Sequence, residues 1–393
     1  MSSHFHLHLT DALKRCAFAS ILLGLRATGW SDSGVDHWLV VANDQSISYT
    51  SGKMAVLDMP RKGSLTVVDI GSRPRLARSI QQVPTSVIGP PTSIALHPTR
   101  PQALVVSAMR AQKTDGTMQH VPDDRVSLVW LGAGSGRAII ETIAVGRQPS
   151  SVSILPDGCA ALVTNRAEGT ISVLDLAGDR LRETARVAIA GPADSLAHIE
   201  ISADGKWAIA TLSQADEVLL LNLAADGTPK VIDRATGGRG PYAARFLPQG
   251  SVVVANIVSN ELTFFATGEG KLRATGAIPM GRIPEGIDVS PDGEWIAVSC
   301  MEGANLDDRS HPSFGVPGRV HLLRRIGTEY QKVDQIDIGC GPQTAVFSCD
   351  SRYLLVTRTG ESRIALYVRE RGGFVPTGEE WDVDGEPIAA TRR

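Results

Sequence analysis

Apolar and polar positions along this chain alternate in short runs, broken at regular intervals by Gly, Pro, Asp or Asn, which predicts strands joined by tight turns. One unit reads Pro149-Ser-Ser-Val-Ser-Ile-Leu-Pro-Asp-Gly158, then Ala161-Leu-Val-Thr-Asn165, then Gly169-Thr-Ile-Ser-Val-Leu-Asp175. It returns as Pro284-Glu-Gly-Ile-Asp-Val-Ser-Pro-Asp-Gly293 followed by Trp295-Ile-Ala-Val-Ser299. Seven such phrases begin near Pro91, Pro149, Leu196, Pro241, Pro284, Pro342 and Pro387, 43 to 58 residues apart. Each unit predicts a four-stranded antiparallel meander, and such a meander cannot bury its apolar face alone. Stacking seven around an axis buries those faces, so the expected fold is all-β, a seven-bladed β-propeller.

The final phrase, Pro387-Ile-Ala-Ala-Thr391, is long enough for an innermost strand only. The first strands, Trp38-Leu-Val-Val-Ala42, Leu65-Thr-Val-Val-Asp69 and a run near Leu76, lack one. The two ends are therefore expected to share one blade, which removes an exposed sheet edge. The expected organisation is an extension over residues 1–36 and one propeller domain over 37–393.

Composition changes this picture little. With 42% hydrophobic residues, 39 Gly and 22 Pro, the chain reads as globular and turn-rich. A net charge of −3 gives no support to nucleic-acid binding, and no apolar stretch is long enough to span a bilayer. Lys14 and Arg15 precede an apolar run to Leu25 and the small residues Ala27-Thr-Gly29, the order of a secretory signal, but Arg26 interrupts its exit. Export and a cytoplasmic location both stay open. The five cysteines show no paired spacing, so packed free thiols are expected.

The pattern Gly-x-x-Pro, strand, Pro-Asp-Gly, strand ending Thr-Asn, then Gly-Thr-Ile-Ser-Val-Leu-Asp resembles the YVTN repeat family of seven-bladed propellers, which overlaps the lactonase-like propellers. The match is nearly complete from Gly146 to Asp175, partial from Gly238 to Asn256 and from Gly281 to Ser299, and the repeats together cover Trp38 to Arg393. The resemblance is specific for fold and says less about activity, because propellers host hydrolases, dehydrogenase subunits and binding proteins alike.

Candidate chemistry follows from topology. Three long insertions, residues 43–63, 108–125 and 301–319, all join a second strand to a third and so leave the ring on one face. Two belong to neighbouring blades and the third is expected across the ring. They carry His120, Asp123, Asp124 and Arg125, and Glu302, Asn305, Asp307, Asp308, Arg309 and His311. Aligning the Gly-x-x-Pro connections places Arg147, Arg239 and Arg282 at one equivalent position, where guanidinium groups would hold a carboxylate or phosphate. Aligning the inner strands on the Pro-Asp-Gly position, spelled out at 156–158 and 291–293, gives a channel ring of Ala95, Ser153, Glu200, Arg245, Asp288, Val346 and Thr391, with His198 in the next ring toward the insertions. Glu200, Arg245 and Asp288 read either as a buried ion network or as part of a ligand site.

No phosphate-binding loop, nucleophile elbow, zinc-protease helix or C-x-x-C occurs. Arg245 between the two acids opposes a divalent cation there, so neither metal nor cofactor is expected. Resemblance to the lactonase-like propellers implies a metal-independent hydrolase of a lactone or small ester at the loop-rich mouth. In it Arg147, Arg239 or Arg282 would hold a substrate carboxylate, His198 or His311 would activate water, and Arg245 would steady the oxyanion. Glu200, Asp288, His120 and Asp308 would complete the binding site. The alternative is a non-catalytic propeller of the cell envelope that binds a small anionic ligand or a protein partner.

Overall fold

Alternation with both faces apolar, as in Ala161-Leu-Val163, demands a strand covered on both sides, and the fold supplies that cover. Ala161 and Val163 pack toward the preceding blade, while Leu162 packs toward the following one. The computed structural model describes residues 37–49, 54–71, 74–86, 89–132, 138–178, 180–306 and 308–393. The extension expected over residues 1–36 lies outside them.

Seven four-stranded antiparallel sheets form a closed ring. Blade 1 takes its inner strand, Glu386–Arg392, from the end of the chain and continues through Trp38–Asp44, Gly63–Asp69 and Arg75–Val83. The seam is an antiparallel ladder from Leu39 opposite Arg392 and Val40 opposite Thr391 to Asp44 opposite Glu386, with one register shift between Ala42 and Asn43. Blades 2 to 7 follow in chain order, with inner strands Ile94–Leu96, Pro149–Ile154, Leu196–Ile201, Pro241–Phe246, Pro284–Val289 and Ala345–Phe347. Helix is sparse among the described residues: His37 is 3-10, and two 3-10 turns lie at Pro192–Asp194 and Thr359–Glu361.

Every junction between consecutive blades holds its own apolar cluster, including the one that joins blade 7 to blade 1 through Leu355, Leu366, Leu39 and Val41. The core is thus a ring of seven interfaces rather than one centre.

Each inner strand runs toward a tight turn and the second strand returns. Gly158 and Gly293 take φ of +74° and +67° there, and the preceding Asp157 and Asp292 accept the backbone N–H two residues on, at 2.8 and 3.0 Å. These turns define one face of the ring, the turn face. Connections from second to third strands, with all three insertions, define the other, the insertion face.

The insertions differ in build. The first carries a small hairpin, Ile47–Ser48 against Ala55–Val56, and the second simply prolongs its strands as Gln102–Thr114 and Thr117–Trp130. The third makes a chain of turns before Gly318. The third belongs to blade 6, so only blade 7 separates it from the first, and it does not lie across the ring. Cys340 bridges the gap, its Sγ 3.9 Å from Tyr49 O and 4.0 Å from Ala304 O. Ser46 Oγ lies 3.1 Å from His120 Nε2 and joins the first insertion to the second.

Candidate functional site

Because inner strands alternate regularly as they approach the turns, they bring one residue per blade to the bore at each level. Ala95, Ser153, Glu200, Arg245, Asp288, Val346 and Thr391 all line a channel cavity of about 240 Å³. Glu200, Arg245 and Asp288 are each fifth in their six-residue strands, so this level lies near the turn face.

A groove of about 800 Å³ opens on the turn face and shares Glu200, Arg245 and Arg392 with the channel cavity. It runs outward between blades 4 and 5, floored by Trp207, Leu220, Phe246 and Leu247 and edged by the turns at 202–204, 248–250 and 267–270.

Charges at this mouth are paired. Arg245 Nε donates to Asp288 Oδ1 at 3.4 Å, and its Nη1 lies 3.8 Å from Glu200 Oε2. Asp288, whose side chain is only 3% exposed, also accepts the Phe347 N–H at 2.9 Å and a guanidinium N–H of Arg392. Arg392 Nη2 donates to Val289 O at 2.9 Å. Glu200 is the least satisfied acid, with one backbone donor, Phe246 N, at 3.2 Å. Enclosure pushes its pKa up to about 7, Arg245 offsets part of that, and the Asp288 charge adds to it.

His198 sits one level deeper and is 1% exposed. Its Nδ1 lies 3.1 Å from both Thr92 Oγ1 and Ser151 Oγ, and its Nε2 lies 2.9 Å from Ala244 O. The carbonyl requires a proton on Nε2, which leaves Nδ1 to accept one hydroxyl proton, and the Thr92 and Ser151 hydroxyls are themselves bonded at 2.9 Å. Burial, with Arg245 nearby, drops its pKa to about 3, so the ring is neutral and ties blades 2, 3, 4 and 5 together.

The remaining expected residues occupy the insertion face. Arg147 and Arg239 are exposed, and Arg239 stands 4.0 Å from Asp216. Arg282 donates to Asn305 Oδ1 of the third insertion at 3.0 Å. His311 Nδ1 accepts from Ser313 N at 3.0 Å, and Asp308 accepts from the N–H and hydroxyl of Ser310 at 2.8 and 2.7 Å. The structure brings Glu200, Arg245 and Asp288 together beside His198. It does not bring His198 to the arginines of the Gly-x-x-Pro connections, nor His311 to either.

Two groups escaped the sequence reading. Arg392 follows Thr391, the last channel residue by alternation, and only the closed ring carries its side chain to Asp288. Tyr242 and Glu285 sit at bulges, where register slips between Pro241 and Ala244 and between Pro284 and Gly286, so a period of two misplaces them. With Glu386 and Tyr49 they form an acid–phenol group on the insertion face, where burial pushes Glu285 and Glu386 each to about 7.

The thiol expectation fails at Cys159, which is disulfide-bonded, whereas Cys300 is a buried thiol. Among the described residues no helix is long and apolar enough to cross a membrane.

The sequence matches no protein-family model and no curated protein. Solved structures do match by shape. A provisionally assigned 6-phosphogluconolactonase from Bacteroides fragilis superposes with a TM-score of 0.67 at 16% identity, over 91% of this chain and 98% of that one. A second such assignment, from Bacteroides uniformis, gives 0.67 at 19% identity over 90% and 99%. The Pseudomonas aeruginosa periplasmic gluconolactonase gives 0.65 at 18% over 90% and 98%. The likeness at these identities is one of fold.

Proposed function

We propose that the protein hydrolyses a small anionic lactone or related ester at the turn-face mouth of its channel, as a propeller of the YVTN-repeat, lactonase-like kind. One juxtaposition carries the reading: Glu200, Arg245 and Arg392 share the junction of a groove of about 800 Å³ with the channel. A carboxylate with a pKa of about 7 exchanges its proton readily near neutrality, so Glu200 can take one from a water that attacks a lactone carbonyl. Arg245, 3.8 Å away, and Arg392 supply fixed positive charge for a substrate carboxylate or phosphate and for the developing oxyanion. Carboxylate base and guanidinium suffice for this step without metal or cofactor. The solved propellers of similar shape include proteins named as lactonases, which fits a lactone as the substrate class.

In this reading His198 is a positioning residue that fixes the inner strands behind Glu200. Arg147, Arg239, Arg282, His120, Asp308 and His311 stand on the opposite face and take no part in the chemistry. Turnover of a panel of free and phosphorylated aldonolactones tests it. Wild type should hydrolyse one, with kcat/KM rising as pH increases through about 7 and Glu200 ionises, and E200Q should lose about 100-fold or more while keeping its fold.

Engagement of Glu200 by Phe246 N at 3.2 Å and by Arg245 at 3.8 Å favours a second reading, in which that carboxylate activates no water and the groove only binds an aldonate-like anion. Calorimetric binding of the aldonate, with no turnover of any lactone, would select it.

A further inference from the structure

The repeat has a knot of its own on the insertion face. In three blades an Asn at or next to the end of the second strand donates its amide across to a hydroxyl of the third: Asn43 to Thr66 at 3.0 Å, Asn165 to Ser172 at 2.8 Å and Asn256 to Thr263 at 2.9 Å. The glycine of Gly-x-x-Pro packs on that amide, so closely that a Cβ at Gly146 or Gly238 would lie 2.4 Å from it.

Blade 6 keeps the geometry and changes the chemistry. Val163 pairs with Ser172 and Asn165 with Thr170 in blade 3, and correspondingly Val298 pairs with His321 and Cys300 with Arg319. Cys300 therefore replaces the Asn, and His321 replaces the hydroxyl. Two residues on, Glu302 takes φ of +50°, a left-handed conformation that non-glycine residues rarely adopt, and turns its carboxylate into the same space.

We propose that Cys300, Glu302 and His321 form a binding site for a zinc-class divalent metal ion at the root of the third insertion. One donor atom from each lies within 4.8 Å of the other two, with Glu302 Oε1 3.2 Å from His321 Nε2. Ligands of a tetrahedral zinc, 2.0 to 2.3 Å from the ion, stand about 3.3 to 3.6 Å apart, so the histidine–glutamate separation already fits and the thiol needs only a small side-chain rotation. All three residues are buried, and His321 Nδ1 has no hydrogen-bond partner, so among the described residues the ring's hydrogen bond is the one to Glu302. Gly281 leaves the space open, since a Cβ there would meet Glu302 Oε1 at 1.7 Å and His321 Nε2 at 2.7 Å.

A thiolate, a carboxylate and a neutral imidazole carry −2 together, which balances a divalent ion. Sulfur and nitrogen donors select zinc or cobalt over magnesium or calcium. On binding, the Cys300 thiol gives up its proton to solvent as the sulfur–metal bond forms. Of the nearby cations, Arg319 is engaged by Asp337 at 2.7 Å, and Lys332 opposes the ion from the neighbouring strand. Three protein ligands leave a fourth position for water. The site lies on the face opposite the Glu200 groove, so it stands or falls independently of the hydrolase reading.

Cobalt(II) titration of the full, metal-stripped chain tests the proposal. Wild type should bind one equivalent with a thiolate-to-cobalt charge-transfer band that zinc bleaches, and excess zinc should raise Tm by about 3–5 °C. C300N/H321S, which restores the knot of the repeat, should fold as wild type does by circular dichroism and gel filtration yet lose affinity at least tenfold. C300S should lose the band while Glu302 and His321 remain, which guards against a double variant that fails to fold. No band in wild type, or an unchanged band in C300S and C300N/H321S, overturns the site.

Discussion

His198 shows how a residue chosen for chemistry can be taken up by structure. Both ring nitrogens are bonded and the ring is held neutral, so proton uptake costs the folded state its fit. An unfolded chain protonates this histidine near 6.5 and the folded one near 3, so between those values the unfolded state holds the extra proton. Stability must therefore rise with pH across that window and fall as acid is added. The contribution amounts to about 2 kcal/mol between pH 7 and pH 5. Urea melts of wild type and H198Q at both values check this, because the raised carboxyls of Glu200, Glu285 and Glu386 act alike in both proteins and cancel. H198Q should show the smaller loss on acidification, and H198A should cost about 2–4 kcal/mol at pH 7 through lost hydrogen bonds and a cavity.

Between residue and ring stands the blade, and the mixed blade is where the chain's two ends meet. Glu386–Arg392 pairs along Trp38–Asp44, contributes Ile388 and Ala389 to the cluster with blade 2, and contributes Ala390 to that with blade 7. Removing residues 386–393 exposes the backbone of Trp38–Asp44 and strips one wall from two clusters. Such a truncation should lower Tm by more than about 15 °C or abolish cooperative melting, with the shortened chain associating through its bare edge on gel filtration. The blades, their closure and the channel ring were legible because Pro291-Asp-Gly293 and the related turns Ala203-Asp-Gly205 and Pro248-Gln-Gly250 set an equivalent origin from which a period of two counts correctly to Asp288, Glu200 and Arg245. That count fails where the period fails, at the bulges bearing Tyr242 and Glu285. It is also silent about reach, which is why Arg392 went unseen. Nor could it pair Cys300 with His321, since an insertion of unread shape separates them in sequence.

At the scale of the molecule, two mouths compete for one function, and each holds carboxyls near neutrality. The insertion face has the long loops and the acid–phenol group of Tyr49, Tyr242, Glu285 and Glu386, while the turn face has the groove and the arginines. Loop length favours the first mouth. Charge and shape favour the second, because an anion gains from Arg245 and Arg392 there, whereas at the first it meets Glu285 and Glu386 with Arg166 committed to the Tyr242 ring, 5.7 Å from its centre. The buried His198 and its partners lie between the two sites and bind blades 2 to 5 to one another. Opposite variants should therefore separate cleanly: E285Q/E386Q should leave kcat/KM for an anionic lactone within about threefold of wild type, and R392A should raise KM at least tenfold. Steady-state kinetics on the three proteins, with Tm as a check on folding, decides which mouth works. A large loss in E285Q/E386Q with none in R392A would move the chemistry to the insertion face and leave the arginine cluster as the lock that closes the other end of the ring.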